Sequence, residues 1–176
     1  MSNSNRFIYI QTYQSPVGEI VLGSYNNKLC LANWSNNKKS DRTNIRLKKG
    51  LNAVFVEESS EIIDETIKQL DEYFKGERQI FDIPLLMVGT EFQMSVWMAL
   101  LQIPFGKTAS YAEQAKRIDN EKAVRAVANA NAANAISILI PCHRIIDSNG
   151  TLTGYAGGLD VKKKLLELEK SIVKLT

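Results

Sequence analysis

Cys142 and His143 stand side by side in Ile138-Leu139-Ile140-Pro141-Cys142-His143-Arg144-Ile145-Ile146, and His143 is the one histidine in the chain. A thiol beside an imidazole suits nucleophilic chemistry, because the thiolate attacks and a base must generate it. Free cysteine is often merely buried, and a lone histidine is often structural. Pro-Cys-His-Arg, however, sets three polar or reactive groups inside an apolar run, where each carries a burial penalty. The adjacent cations, protonated His143 and Arg144, are expected to favour the thiolate. Neighbours in an extended segment project to opposite sides, which predicts that His143 reaches Cys142 through a bridging water. Such a base needs an orienting carboxylate, and Asp147, Asp160, Glu167 and Glu169 all lie downstream, with nothing in the spacing to choose among them.

The composition narrows the setting. With 176 residues, 44% hydrophobic and 23% charged, the chain can bury a real core. Two distant cysteines and one histidine are too few for a disulfide framework or a Cys/His zinc site. A polar N-terminus, Met1 to Arg6, and the lack of a long apolar run predict a cytoplasmic protein with neither signal peptide nor membrane span. The net charge is only +3, and residues 1–89 are balanced at 11 basic and 11 acidic side chains. The excess lies in residues 90–176, with 11 basic against 8 acidic, which permits a nucleic-acid partner there without requiring one.

The elements that must position this pair divide near the middle. Phe7–Tyr13, Glu19–Ser24 and Lys28–Trp34 read as strands, the first two joined by Ser15-Pro16-Val17-Gly18 and the last two by an Asn26-Asn27 hairpin turn. Asn36 to Gly50 reads as an exposed loop and Leu51–Val56 as a further strand. Ile62, Ile63, Thr66, Ile67, Leu70, Tyr73 and Phe74 recur at helical spacing and Gly76 follows as a stop. A boundary is placed between 88 and 89. Beyond it, Thr90-x-x-Gln93 and Ser110-x-x-Glu113 have capping-box spacing, Asn120 is placed as the cap of a helix from Glu121 to about Asn131, and a last helix spans Asp160–Lys170.

The segment Ile140-Pro141-Cys142-His143-Arg144-Ile145-Ile146 resembles the active-site signature of the O6-alkylguanine-DNA alkyltransferases, or methylated-DNA–protein-cysteine methyltransferases. Gly89-Thr90-x-Phe92-Gln93-x-x-Val96-Trp97, Ile103-Pro104-x-Gly106-x-Thr108-x-Ser110-Tyr111 and Arg125-Ala126-Val127 fall in the family's order and spacing. So do Gly154-Tyr155-x-Gly157-Gly158-Leu159, Lys162, Leu165-Leu166 and Glu169, so that nearly all of residues 89–169 is covered. Ser15-Pro16-Val17-Gly18, Glu72-Tyr73-Phe74-x-Gly76 and Phe81-Asp82-Ile83-Pro84-Leu85 extend the resemblance into the first half.

The resemblance implies an α/β fold: a small N-terminal antiparallel sheet with one or two helices, ribonuclease-H-like, in residues 1–88, and a mostly helical winged-helix or helix-turn-helix domain in 89–176. It implies irreversible, single-turnover, cofactor-free transfer of an alkyl group from O6-alkylguanine in double-stranded DNA to Cys142, by a monomer. His143 would act through water and Glu169 would orient it, Tyr111 would help the leaving guanine take a proton, and Asn134 would tie the recognition helix to the active-site segment. Arg125 would fill the stack vacated by a flipped nucleotide. The helix from Glu121 would approach the minor groove through the small residues Ala123, Ala126, Ala128, Ala130 and Ala132, and Tyr111 would also meet the DNA. Pro141, Ile145, Tyr155, Ala156, Gly157 and Gly158 would line the alkyl pocket, with no metal.

Two departures are expected to tune affinity and not chemistry. Ala135 follows Asn134 where the family commonly has proline, and Asp119-Asn120-Glu121 replaces a Gly-Asn-Pro-like turn. A lesion-flagging relative without transfer is disfavoured by the presence of Cys142, and a methyl-sensing regulator by the shortage of cysteines. A cysteine hydrolase would turn over repeatedly.

Overall fold

The computed structural model describes residues 6–175, side chains of 171–175 aside. The polar segment Met1–Asn5 lies outside the described residues. Strands β1 (Phe7–Ser15), β2 (Gly18–Tyr25) and β3 (Lys28–Trp34) form an antiparallel meander. Asn26 and Asn27 both take positive φ, 52° and 62°, as a tight hairpin turn requires. Strand β4 (Val54–Glu57) pairs parallel with β1, so the order is β3-β2-β1-β4 and the expected antiparallel sheet is completed as a mixed one.

The stretch expected to be a loop contains helix α1 (Ser40–Leu51). Only Thr43 and Leu47 of this helix are buried, so its apolar stripe is too thin to stand out against the basic residues around it. The parallel pairing of β1 with β4 needs a crossover, and this helix supplies part of it. Helix α2 (Glu61–Phe74) starts at the Ser60 cap, whose hydroxyl accepts from the Ile63 amide, and packs Ile63, Thr66, Leu70 and Tyr73 inward.

The edge strand β3 does not end the molecule. Leu29 exchanges backbone bonds with Pro84 and Leu86, and Ala32 with Ala135 and Ser137, at 2.8 Å each. One strand of the first half therefore holds both the connecting segment and the chain just ahead of Cys142, which also covers an exposed edge.

In the second half, α3 (Glu91–Leu100) and α4 (Tyr111–Arg117) each open with a complete capping box, Thr90/Gln93 and Ser110/Glu113. Helix α5 (Val124–Ala132) begins three residues later than expected and without a side-chain cap. Asn120 is already engaged: its amide bonds Ala115 while Asp119, at φ 55°, bonds Lys116, a Schellman ending for α4. Gln114 and Asn131, both buried, exchange two amide bonds of 2.8 Å and fix α4 against α5. Ala109–Ser110 (β5) and Ile145–Ile146 (β6) pair in parallel, and α6 (Leu159–Leu175) closes the chain. Among the described residues no helix is long and apolar enough to cross a membrane.

Candidate active site

Cys142, His143 and Arg144 form a single 3-10 turn, not the extended segment expected, with Pro141 at its start and its carbonyl bonded to the Arg144 amide at 3.0 Å. Cys142 is 8% exposed and His143 fully buried. The guanidinium of Arg144 is engaged elsewhere than on the thiol, giving Nε and Nη2 to Glu169 at 3.0 Å each and Nη1 to the Ile103 carbonyl at 2.7 Å. The expectation that Arg144 favours the thiolate is thus corrected, and the cation whose charge acts on the sulfur is Lys162. Burial pushes the Cys142 thiol up, more than the Asn134 amide and Lys162 pull it down.

Glu169 is the carboxylate the site selects. Its Oε1 lies 2.7 Å from His143 Nε2 and accepts the Tyr73 hydroxyl at 2.9 Å. Burial would raise this carboxyl, but the bonds and charge of His143 and Arg144 outweigh it and bring it down to about 2. Burial lowers His143, against the opposing pull of Glu169. The state consistent with both directions is an anionic Glu169, held by Arg144, beside a neutral imidazole. An anionic acceptor fixes the proton on Nε2. Nδ1 is then the free lone pair, and it is buried without a partner among the described residues.

Asn134 bridges backbone and sulfur: Nδ2 donates to the Ile140 carbonyl at 3.0 Å and to Cys142 Sγ at 3.3 Å, while Oδ1 accepts the Ile136 amide at 3.0 Å. Lys162, 0% exposed, donates to the carbonyls of Thr153 and Gly154 at 2.9 and 3.3 Å, and Tyr111 shares the Thr153 carbonyl at 3.2 Å. Lys162, Leu165, Leu166 and Glu169 are all buried at i, i+3, i+4 and i+7. That spacing, with two charged residues on an apolar stripe, is the sequence signal that could have drawn attention to Lys162.

Cys142 opens into a cleft of ≈ 1290 Å³ with Tyr111, Arg125, Ala128, Ala132, Tyr155, Ala156 and Gly158 on its walls. Three expected pocket residues lie behind it. Ile145 is 0% exposed and paired in β6, Pro141 is buried under the turn, and Gly157 sits against Trp34, whose ring a Cβ would meet at 2.9 Å. Ala130 also faces inward, 3% exposed, its carbonyl accepting the Trp97 indole N–H at 2.9 Å, which removes it from the outer face; Ala126 is exposed and Ala123 half-buried. Arg125 is exposed and makes no ion pair among the described residues. A further part of the lining, Asn36 to Lys39, comes from the first half and was not foreseen. Nor were Trp34, whose indole donates to the Tyr155 hydroxyl at 3.1 Å, and Arg46, which donates to the Ala133 carbonyl at the end of α5 at 2.6 Å. Among the described residues no three His, Cys, Asp or Glu side chains are grouped to hold a metal.

Comparison with known proteins identifies the family. Residues 91–171 match the 6-O-methylguanine DNA methyltransferase, DNA binding domain, and residues 8–87 the 6-O-methylguanine DNA methyltransferase, ribonuclease-like domain. A methylated-DNA–protein-cysteine methyltransferase of Methanosarcina acetivorans is 46% identical over 93% of this chain and 99% of its own length. A constitutive one of Bacillus subtilis is 38% identical over 92% and 95%. The crystal structure of Mycobacterium tuberculosis OGT in complex with DNA is similar at a TM-score of 0.80 and 38% identity, covering 93% of this chain and 94% of that one. With both halves matched in order, and relatives aligned over nearly their whole length, the chain belongs to the 6-O-methylguanine DNA methyltransferase family.

Proposed function

We propose that this protein repairs DNA by moving the alkyl group of O6-alkylguanine onto Cys142. The observation that carries the reading is Cys142 at the cleft, its sulfur bonded by Asn134, followed directly in the chain by the buried His143–Glu169 pair. A thiol raised by burial needs a base, and the unpartnered Nδ1 of His143 is one; a water between Nδ1 and Sγ takes the thiol proton across. The sulfur–carbon bond forms as the carbon–O6 bond breaks, and the departing guanine takes a proton with help from Tyr111. The product thioether has no leaving step, so each molecule acts once and no cofactor enters.

The cleft floor lies below the rim, so a stacked guanine cannot present its O6 carbon to the sulfur and must rotate out of the duplex. In this reading Arg125 fills the gap, Ala126 and Ala128 let α5 approach the minor groove, and Tyr155, Ala156 and Gly158 surround the alkyl group. The division at 88/89 assigns support to the first half and DNA contact with transfer to the second, in a protein acting as a monomer. Cys142→Ala is expected to bind a lesion-bearing duplex within about threefold of the unmodified protein, less than 1 kcal/mol, and to transfer nothing. Transfer by this variant would remove the mechanism.

A further inference from the structure

We propose that Tyr73, on α2 of the first half, is a positioning residue of the relay, its hydroxyl setting the charge distribution and orientation of Glu169 and through it the tautomer of His143. The inference rests on the reading of Cys142–His143–Glu169 as the transfer machinery. Tyr73 is 0% exposed and donates to Glu169 Oε1 across 96 positions of chain. Its ring is wedged against Phe74, Phe81 and Phe105, with centroids 5.1, 5.4 and 6.3 Å away, so the hydroxyl has one direction in which to point.

The oxygen it meets is the one that faces His143. Oε1 receives His143 Nε2, Arg144 Nη2 and the Tyr73 hydroxyl, while Oε2 receives Arg144 Nε and, at 3.5 Å, the Gly106 amide. Donors that share one oxygen divide its charge. Without the phenol, more of the negative charge falls on the Nε2–H bond, which stabilises the imidazolium and makes His143 more basic. The other charged or titratable groups around the pair, Arg144, Lys162, Tyr155 and Cys142, stay in place. Because the base must be neutral to accept the thiol proton, a more basic His143 is disabled at higher pH. The phenol therefore extends transfer toward acid.

The test is Tyr73→Phe, which keeps the ring, with Tyr13→Phe as control, since the Tyr13 hydroxyl serves Asp71 at 2.6 Å away from the relay. In single-turnover transfer from an O6-methylguanine duplex, the acid limb of Tyr73→Phe should move to higher pH. The rate on that limb should fall roughly three- to tenfold, with the alkaline plateau within about twofold. The second readout is the 15N spectrum of the one histidine, which should show His143 protonating at higher pH in Tyr73→Phe than in the unmodified protein or Tyr13→Phe. If Tyr73→Phe does not fold, 3-fluorotyrosine placed at position 73 gives a stronger donor and should move both readouts the other way. Profiles and spectra that superimpose on the unmodified protein overturn the proposal. Should no alkyl group move at all, the 15N comparison still decides the coupling, so failure of the transfer reading and failure of the Tyr73 role are told apart.

Discussion

Cys142 and His143 are both buried, and burial drives each toward its neutral form, the thiol and the free imidazole. The pair rests uncharged beside an anionic Glu169 whose charge is met by Arg144. This has a cost that stability measurements can read. The folded-state value of His143 is depressed, so the unfolded chain, protonating near the ordinary ~6.5, binds the proton first. Stability is fully present above about pH 6.5 and is lost as pH falls below it, before ordinary carboxylates titrate near ~4.3. Glu169, at about 2, adds a second loss from ~4.3 downward. Urea unfolding at pH 7.5, 6 and 5 should show the first decline, and His143→Gln should flatten it. An equal decline in the variant would assign it to another group.

The helices carry the placement of these side chains, and they divide into what local spacing reveals and what it does not. Both capping boxes and the Asn26-Asn27 turn were legible, because each is decided by residues within one turn of chain. The start of α5 was not, since Asn120 suits a cap but the preceding helix uses it first. Helix α1 was missed for want of apolar residues, and the Ala133 carbonyl at the end of α5 that its Arg46 meets lies beyond any local window. In the site, Pro-Cys-His-Arg announced itself as polar groups in an apolar run. Tyr73, Trp34 and Arg46 act over 87 to 121 positions, so no local spacing shows what their polar groups meet. The recognition element makes its own prediction. Arg125→Ala should slow transfer from duplex DNA by roughly tenfold or more, a loss of about 1.4 kcal/mol or more, while reaction with free O6-alkylguanine base changes little. Equal slowing of both would count against insertion.

The molecule as a whole joins its halves at the site itself. Strand β3 pairs with the segment before Cys142, Trp34 supports the pocket loop, Arg46 closes the end of α5, and Tyr73 reaches Glu169. The first half also brings Lys38 and Lys39 to the cleft that Lys122 and Arg125 line, so both halves give it basic residues. If both halves meet phosphate, replacing Lys38 and Lys39 together by alanine should reduce the slope of log affinity against log salt by about 0.9 for each phosphate no longer neutralised, with or without a lesion. An unchanged slope would confine phosphate binding to α5 and its neighbours.

The account turns on a single bond between Cys142 and the alkyl carbon. Intact mass followed by peptide mapping, after incubation with a duplex carrying one O6-methylguanine, reads that bond directly. The expected result is one added methylene unit, on Cys142, in an amount equal to the protein and never exceeding it. Tight binding with no mass gain, a gain on another residue, or lesions consumed in excess over protein would contradict it.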